Sequence, residues 1–71
     1  MANRIPRKFN RMVIKMKIET SESKIGDVFH VYKNDCGTGY LGLNTKTGKY
    51  CYIFSSMLRN NEIVEIQEIE K

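Results

Sequence analysis

The chain has no tryptophan, one proline, one histidine and two cysteines in 71 residues, and each scarcity closes off a class of protein. Structural zinc takes four ligands, commonly in close pairs. His30, Cys36 and Cys51 are too few and too widely spaced for that, so neither a metal nor another cofactor is expected. Two cysteines do not make a disulfide framework. Cys51 reads as a small core residue and Cys36 as an exposed turn thiol, and a bond between them would have to join a hairpin tip to a neighbouring strand. His30 has no serine or cysteine partner in any arrangement the sequence suggests, so nothing marks the chain as an enzyme. No apolar run approaches the ~20 residues of a membrane span, and the opening MANRIPRKFNR lacks the apolar stretch of a secretory signal. A cytoplasmic protein with reduced cysteines and no membrane partner is expected. At this length there is room for one domain with one modest core.

Acid is also missing, but only locally. Residues 1–17 hold Arg4, Arg7, Lys8, Arg11, Lys15 and Lys17 without a carboxylate, whereas Glu62, Glu65, Glu68 and Glu70 gather near the other end. Such polarity points to an anionic partner for the first segment. The plainer alternative is that the first and last strands are neighbours, so that Lys15 and Lys17 face Glu65. Arg4, Arg7 and Lys8 precede the first strand pattern and suit the partner reading better.

What is present is alternation. From Arg11 to Glu19, Met12, Ile14, Met16 and Ile18 fall on one side, the period of a half-buried strand. Val28 to Lys33 is rich in β-branched and aromatic residues, Asn34-Asp35-Cys36-Gly37 supplies turn chemistry, and Tyr40 to Asn44 and Lys49 to Ser55 form the next two strands. Gly48 suits a turn that needs positive φ. With Lys46, Thr47 and Gly48 as the loop, Leu43 opposes Cys51 and Leu41 opposes Ile53, and these four face the core. Ser55 to Arg59 reads as a short helical turn. Glu62 to Ile69 reads as a last strand with Val64 and Ile66 inward, although Ile63, Ile66 and Ile69 also recur at the spacing of a helix. Residues 1–10 are expected to be a flexible basic arm, and residues 11–71 a single all-β domain.

The string Cys36-Gly37-Thr38-Gly39-Tyr40-Leu41-Gly42 contains a literal G-x-G-x-x-G. That motif binds a dinucleotide only where a strand turns into a helix whose N-terminus receives the pyrophosphate. No helix follows here, and a βαβ unit does not fit. Gly37 and Gly39 then serve a turn, and Gly42 marks a bulge, a bend or a close approach. Gly48-Lys49 fails as a phosphate loop because Tyr50 stands where a metal-binding hydroxyl would be required.

Five short strands with one helical turn before the last, and the phrase Lys24-Ile25-Gly26-Asp27-Val28-Phe29, resemble the small SH3-like β-barrels over roughly residues 11–69. The resemblance implies a five-stranded barrel that binds peptides or nucleic acid and seldom catalyses.

The aromatics carry the functional expectation. If Leu41, Leu43, Cys51 and Ile53 face the core, the pleat sends Tyr40, Tyr50 and Tyr52 outward, and Phe29 and Val31 inward leave His30 and Tyr32 outside. Tyr32, Tyr40, Tyr50 and Tyr52, with Phe54 as a candidate extension, would form a stacking platform for unpaired bases. Lys33, Lys46, Lys49 and Arg4, Arg7, Lys8 and Arg11 would supply phosphate contacts. The competing reading makes these rings a second small core beneath the N-terminal arm or the last strand. The expected function is a non-enzymatic binder of RNA or single strands. The alternative is a protein-interaction module, a small regulator or inhibitor of a larger enzyme of the kind phages carry as accessory proteins. Dimerisation through edge strands is compatible with either.

Overall fold

The computed structural model describes residues 2–34 and 39–71. Five antiparallel strands form one sheet in the order β4-β3-β2-β1-β5. These are β1 (Arg11–Met16), β2 (Val28–Lys33), β3 (Tyr40–Asn44), β4 (Tyr50–Ile53) and β5 (Val64–Glu70), with helix α1 (Ser55–Arg59) between the last two. The sheet is open, with β4 and β5 as its two edges. Cys36, Gly37, Asp35 and Thr38, and with them any bond between Cys36 and Cys51, lie outside the described residues. Among the described residues no helix is long and apolar enough to cross a membrane.

One face of the sheet is the core. Met12, Ile14 and Met16 of β1, Phe29 and Val31 of β2, Ile53 of β4 and Val64 of β5 are buried together with Phe9 and Leu58. Alternation in β1 therefore does what its period dictates, but only as far as Met16. The chain then bends away, Lys17 donating its N–H to the Ile63 carbonyl and Gly26 donating to Met16, and Ile18 is left 40% exposed.

At the C-terminal end the helical spacing of the isoleucines has a strand explanation. β5 pairs with β1 as Met16↔Val64 and Ile14↔Ile66, then as Val13↔Glu68 and Met12↔Ile69. Gln67 is the extra residue of a β-bulge, which switches the parity of every residue after it. Val64, Ile66 and Ile69 all pack against the core in consequence.

The β3–β4 hairpin departs by one residue from the expected register. The partners are Tyr40↔Ile53, Leu41↔Tyr52, Gly42↔Cys51 and Leu43↔Tyr50. Gly48 does take positive φ, at 76°, but it closes a four-residue loop, donating its N–H to Asn44 at 2.8 Å while Asn44 donates to Lys49 at 2.9 Å. A polar pin explains the choice. Buried Asn44 gives its side-chain amide to Asp27 Oδ2 at 3.1 Å and accepts the Lys46 N–H at 2.9 Å, so Asn44 must face inward, and Gly42 and Tyr40 face inward with it. Gly42 fits because it has no side chain: a Cβ there would lie 2.3 Å from Ile53 Cδ1 and 3.2 Å from Phe29. Leu41 and Leu43 are displaced to the outer face, since a one-residue slip reverses every side chain.

Residues 2–10 run along the inner side. Asn3 donates its side-chain amide to the carbonyls of Leu58 and Val64 at 2.9 and 3.2 Å, and Asn10 donates its N–H to Glu70. Ile5 packs against the core, Phe9 is only 8% exposed, and the Phe9 ring stacks on Tyr40 at 5.8 Å between centroids. The segment thus makes contacts that a loose arm would lack. Its apolar residues Ile5 and Phe9 cover inner-face surface that the open sheet leaves bare.

Candidate interaction surface

The outer face follows from the register. Across the strands one row reads Tyr50, Leu43, His30, Val13 and Glu68, and the next reads Tyr52, Leu41 and Tyr32. Tyr50 and Tyr52 are 59% and 67% exposed, whereas Leu41, Leu43, His30 and Tyr32 are half-buried. From β2 to β4 this face has no lysine or arginine among the described residues. Beyond β1 it turns acidic: Glu65, Glu68 and Glu70 stand opposite Lys15, Val13 and Arg11. Arg11 is already engaged, its guanidinium 3.2 Å from Glu70 and 3.9 Å from Glu68.

The expected site residues therefore divide. Tyr32, Tyr50 and Tyr52 share the outer face as anticipated. Tyr40 does not: it belongs to the inner side, against Phe9, and the platform loses that ring. The cause is the Asn44 pin, which fixes the parity of β3. Lys33 also leaves the platform, donating its ammonium to the Arg7 carbonyl and lying 6.0 Å from the Phe9 ring centroid. Arg4, Arg7 and Lys8 are exposed on the N-terminal segment, and Lys46 and Lys49 are exposed at the β3–β4 turn, the opposite end of the sheet from Lys33. Apart from Arg11, at the β1 flank of the outer face, the expected cations and the tyrosines do not form one surface. Lys15 opposes Glu65, as the neighbouring-strand reading required.

Leu41 and Leu43 are the residues that sequence reasoning placed on the wrong face. The signal that could have placed them is Asn44 ahead of Thr45-Lys46-Thr47-Gly48, since an Asn at that point commonly accepts a backbone N–H two residues on. The observed bond from Lys46 is of this type.

The remaining chemistry is sparse. Burial, with the nearby Glu22 charge as a lesser cause, pushes the Cys51 thiol up from its ordinary value, so it is protonated and a poor nucleophile near neutral pH. Among the described residues no group of His, Cys, Asp and Glu is arranged to hold a metal ion. On the inner side an open cleft of about 490 Å³ is lined by Lys8, Phe9, Asn10, Lys33 and Lys71. Its aromatic floor, Phe9, is buried and offers no open ring to a base. No protein-family model matches the chain, and no curated protein or solved structure matches it either.

Proposed function

We propose that the chain is a non-enzymatic interaction module, working in a reducing cytoplasmic compartment, that docks a partner protein through the outer face of its sheet. The observation that carries this reading is the continuity of Tyr50, Tyr52, Leu41, Leu43, Tyr32 and His30 over three strands with no cation among them. Aromatic and aliphatic side chains mixed in this way are what protein interfaces bury at their centres. Base stacking in a nucleic-acid site needs phosphate-binding cations beside the rings. Here the nearest cations on the same face, Arg11 and Lys15 of β1, stand opposite the β5 carboxylates Glu70 and Glu65, which repel phosphate. The partner surface that complements this face is apolar at its centre and basic on the flank that meets Glu65, Glu68 and Glu70. The finer architecture we infer is an SH3-like small barrel, which the short hairpins and the helical turn before β5 support.

Nucleic-acid binding is the second reading, favoured by the convergence of Lys8, Lys33 and Lys71 on one cleft. Two variants separate the readings: Leu41→Ser/Leu43→Ser on the outer face and Lys8→Ala/Lys33→Ala at the cleft. Each is immobilised, exposed to cell extract, and titrated with labelled single-stranded RNA, single-stranded DNA and duplex DNA at two salt concentrations. Docking predicts a stoichiometric protein retained by the parent and the cleft variant and lost by the face variant. Salt-sensitive binding of RNA or DNA that disappears in the cleft variant, with no face-dependent protein, overturns it.

A further inference from the structure

We infer that β4 is a self-pairing edge, through which two copies of the chain join antiparallel to make one continuous sheet of twice the width. The strand and the residue after it read Tyr50-Cys51-Tyr52-Ile53-Phe54, with no charge and no proline. Among the described residues no other strand pairs with its free side. A strand edge of this kind offers a row of backbone donors and acceptors, and proteins ordinarily blunt such a row with charges, bulges or a cover.

The occupant follows from complementarity. A two-fold axis perpendicular to the sheet at Tyr52 sets Tyr52 against its own copy, Cys51 against Ile53, and Tyr50 against Phe54. In this register every inward residue opposes an inward residue, and every aromatic ring opposes a ring, a pairing that stabilises antiparallel sheets. No like charges meet, because Lys49 falls opposite Ser55. The other edge cannot substitute: Glu65, Glu68 and Glu70 would face a second copy of themselves. Beside β4, a cavity of about 170 Å³ lies between Met16, Phe29, Ile53 and Met57 and the polar loop 20–23, so the inner side has room next to the proposed seam.

The inference does not depend on what the outer face binds, and its test keeps the two apart. Sedimentation velocity is run on the parent, on Tyr52→Lys at the edge and on Leu41→Ser/Leu43→Ser in the middle of the sheet. The expected result is a doubling of mass with rising concentration for the parent and the leucine variant, and a monomer throughout for Tyr52→Lys. Mild oxidation of Tyr52→Cys, made with Cys36→Ser and Cys51→Ser, should trap a covalent dimer. A parent that stays monomeric at several hundred micromolar overturns the inference, as does a Tyr52→Lys variant that dimerises like the parent. Loss of partner capture by the leucine variant with its dimer intact tells only on the outer face.

Discussion

At one edge of the sheet β5 carries Glu65, Glu68 and Glu70 and interrupts its own ladder at Gln67. At the other, β4 runs two tyrosines, a cysteine and an isoleucine into an exposed phenylalanine. The inner sides differ as well. β5 contributes Val64, Ile66 and Ile69 to the core beside the N-terminal segment, whereas β4 contributes Ile53 and, less deeply, Cys51. Charge and a bulge are the means by which edges are kept from pairing, and only β5 has them. The contrast sets a guarded edge against an unguarded one.

Two truncations test whether β5 and β4 differ in how they are held. Phe9→Ala removes the ring that seats residues 2–10 against Tyr40 and should cost about 3–5 kcal/mol, the range for a buried phenylalanine. A urea melt measures it, and a cost under about 1 kcal/mol would mean that the segment is not part of the core. Ile53→Ala removes the single deep anchor of β4 and should cost about 2–4 kcal/mol, with Ile69→Ala on β5 costing clearly less because Ile66 and Val64 remain. Equal costs would erase the asymmetry between the edges.

Gly42 sharpens the picture of how β4 is attached. An alanine there drives its Cβ to 2.3 Å from Ile53 Cδ1, and overpacking of this kind costs about 1–3 kcal/mol. Ile53→Val deletes that same Cδ1 atom. The double variant should therefore be less destabilised than the two single changes added together, a coupling that a double-mutant cycle reads directly. Strict additivity would show that Ile53 does not occupy the space over Gly42.

Asp27 controls the parity on which the outer face depends. Its carboxylate accepts the Lys24 N–H at 3.0 Å and the Asn44 amide at 3.1 Å, and these bonds, the Lys24 one first, hold its pKa below the ordinary 3.8. A pKa lowered by folding contributes stability that is fully present above the ordinary value and is lost as pH falls through the lower native one. Below pH 3.8 the parent should lose stability more steeply than Asp27→Asn, which has no proton to gain there. Parallel pH profiles from melts between about pH 2 and pH 6 would remove Asp27 from the account.

Much of this could be read from the residues, and the failures have physical causes. Period-two alternation placed Met12, Ile14, Met16, Phe29 and Val31, because a half-buried strand leaves that signature in any context. Gly48 was legible through its need for positive φ. Leu41 and Leu43 were not, because hydrophobicity assigns leucine to the core, whereas the register obeyed a buried bond between Asn44 and Asp27, residues 17 apart in sequence. The bulge at Gln67 was hidden for a related reason: a strand that changes parity midway imitates the spacing of a helix. The dispersal of the candidate site came from the same slip, which sent Tyr40 inward, and from the parity of β2, which sets Lys33 on the side of Phe29 and Val31, beside Phe9.

The smallest expected effect on stability comes from neutralising the guarded edge. Glu65→Gln/Glu68→Gln/Glu70→Gln removes the partners of Arg11, whose side chain is 29% accessible, but the carboxylates themselves are solvent-exposed, with Glu68 and Glu70 side chains 62% and 53% accessible. Exposed pairs contribute about 0–1 kcal/mol each, and relief of repulsion among the carboxylates offsets part of that. The melting midpoint should move little. What should change is the behaviour of β5: without its carboxylates that edge keeps only the bulge at Gln67, and self-association should acquire a component that Tyr52→Lys does not abolish. Sedimentation of the combined glutamine and Tyr52→Lys variant reads that component directly. If the combined variant stays monomeric at the concentrations where the parent pairs, then the bulge alone is a sufficient guard, and charge is not what separates the two edges.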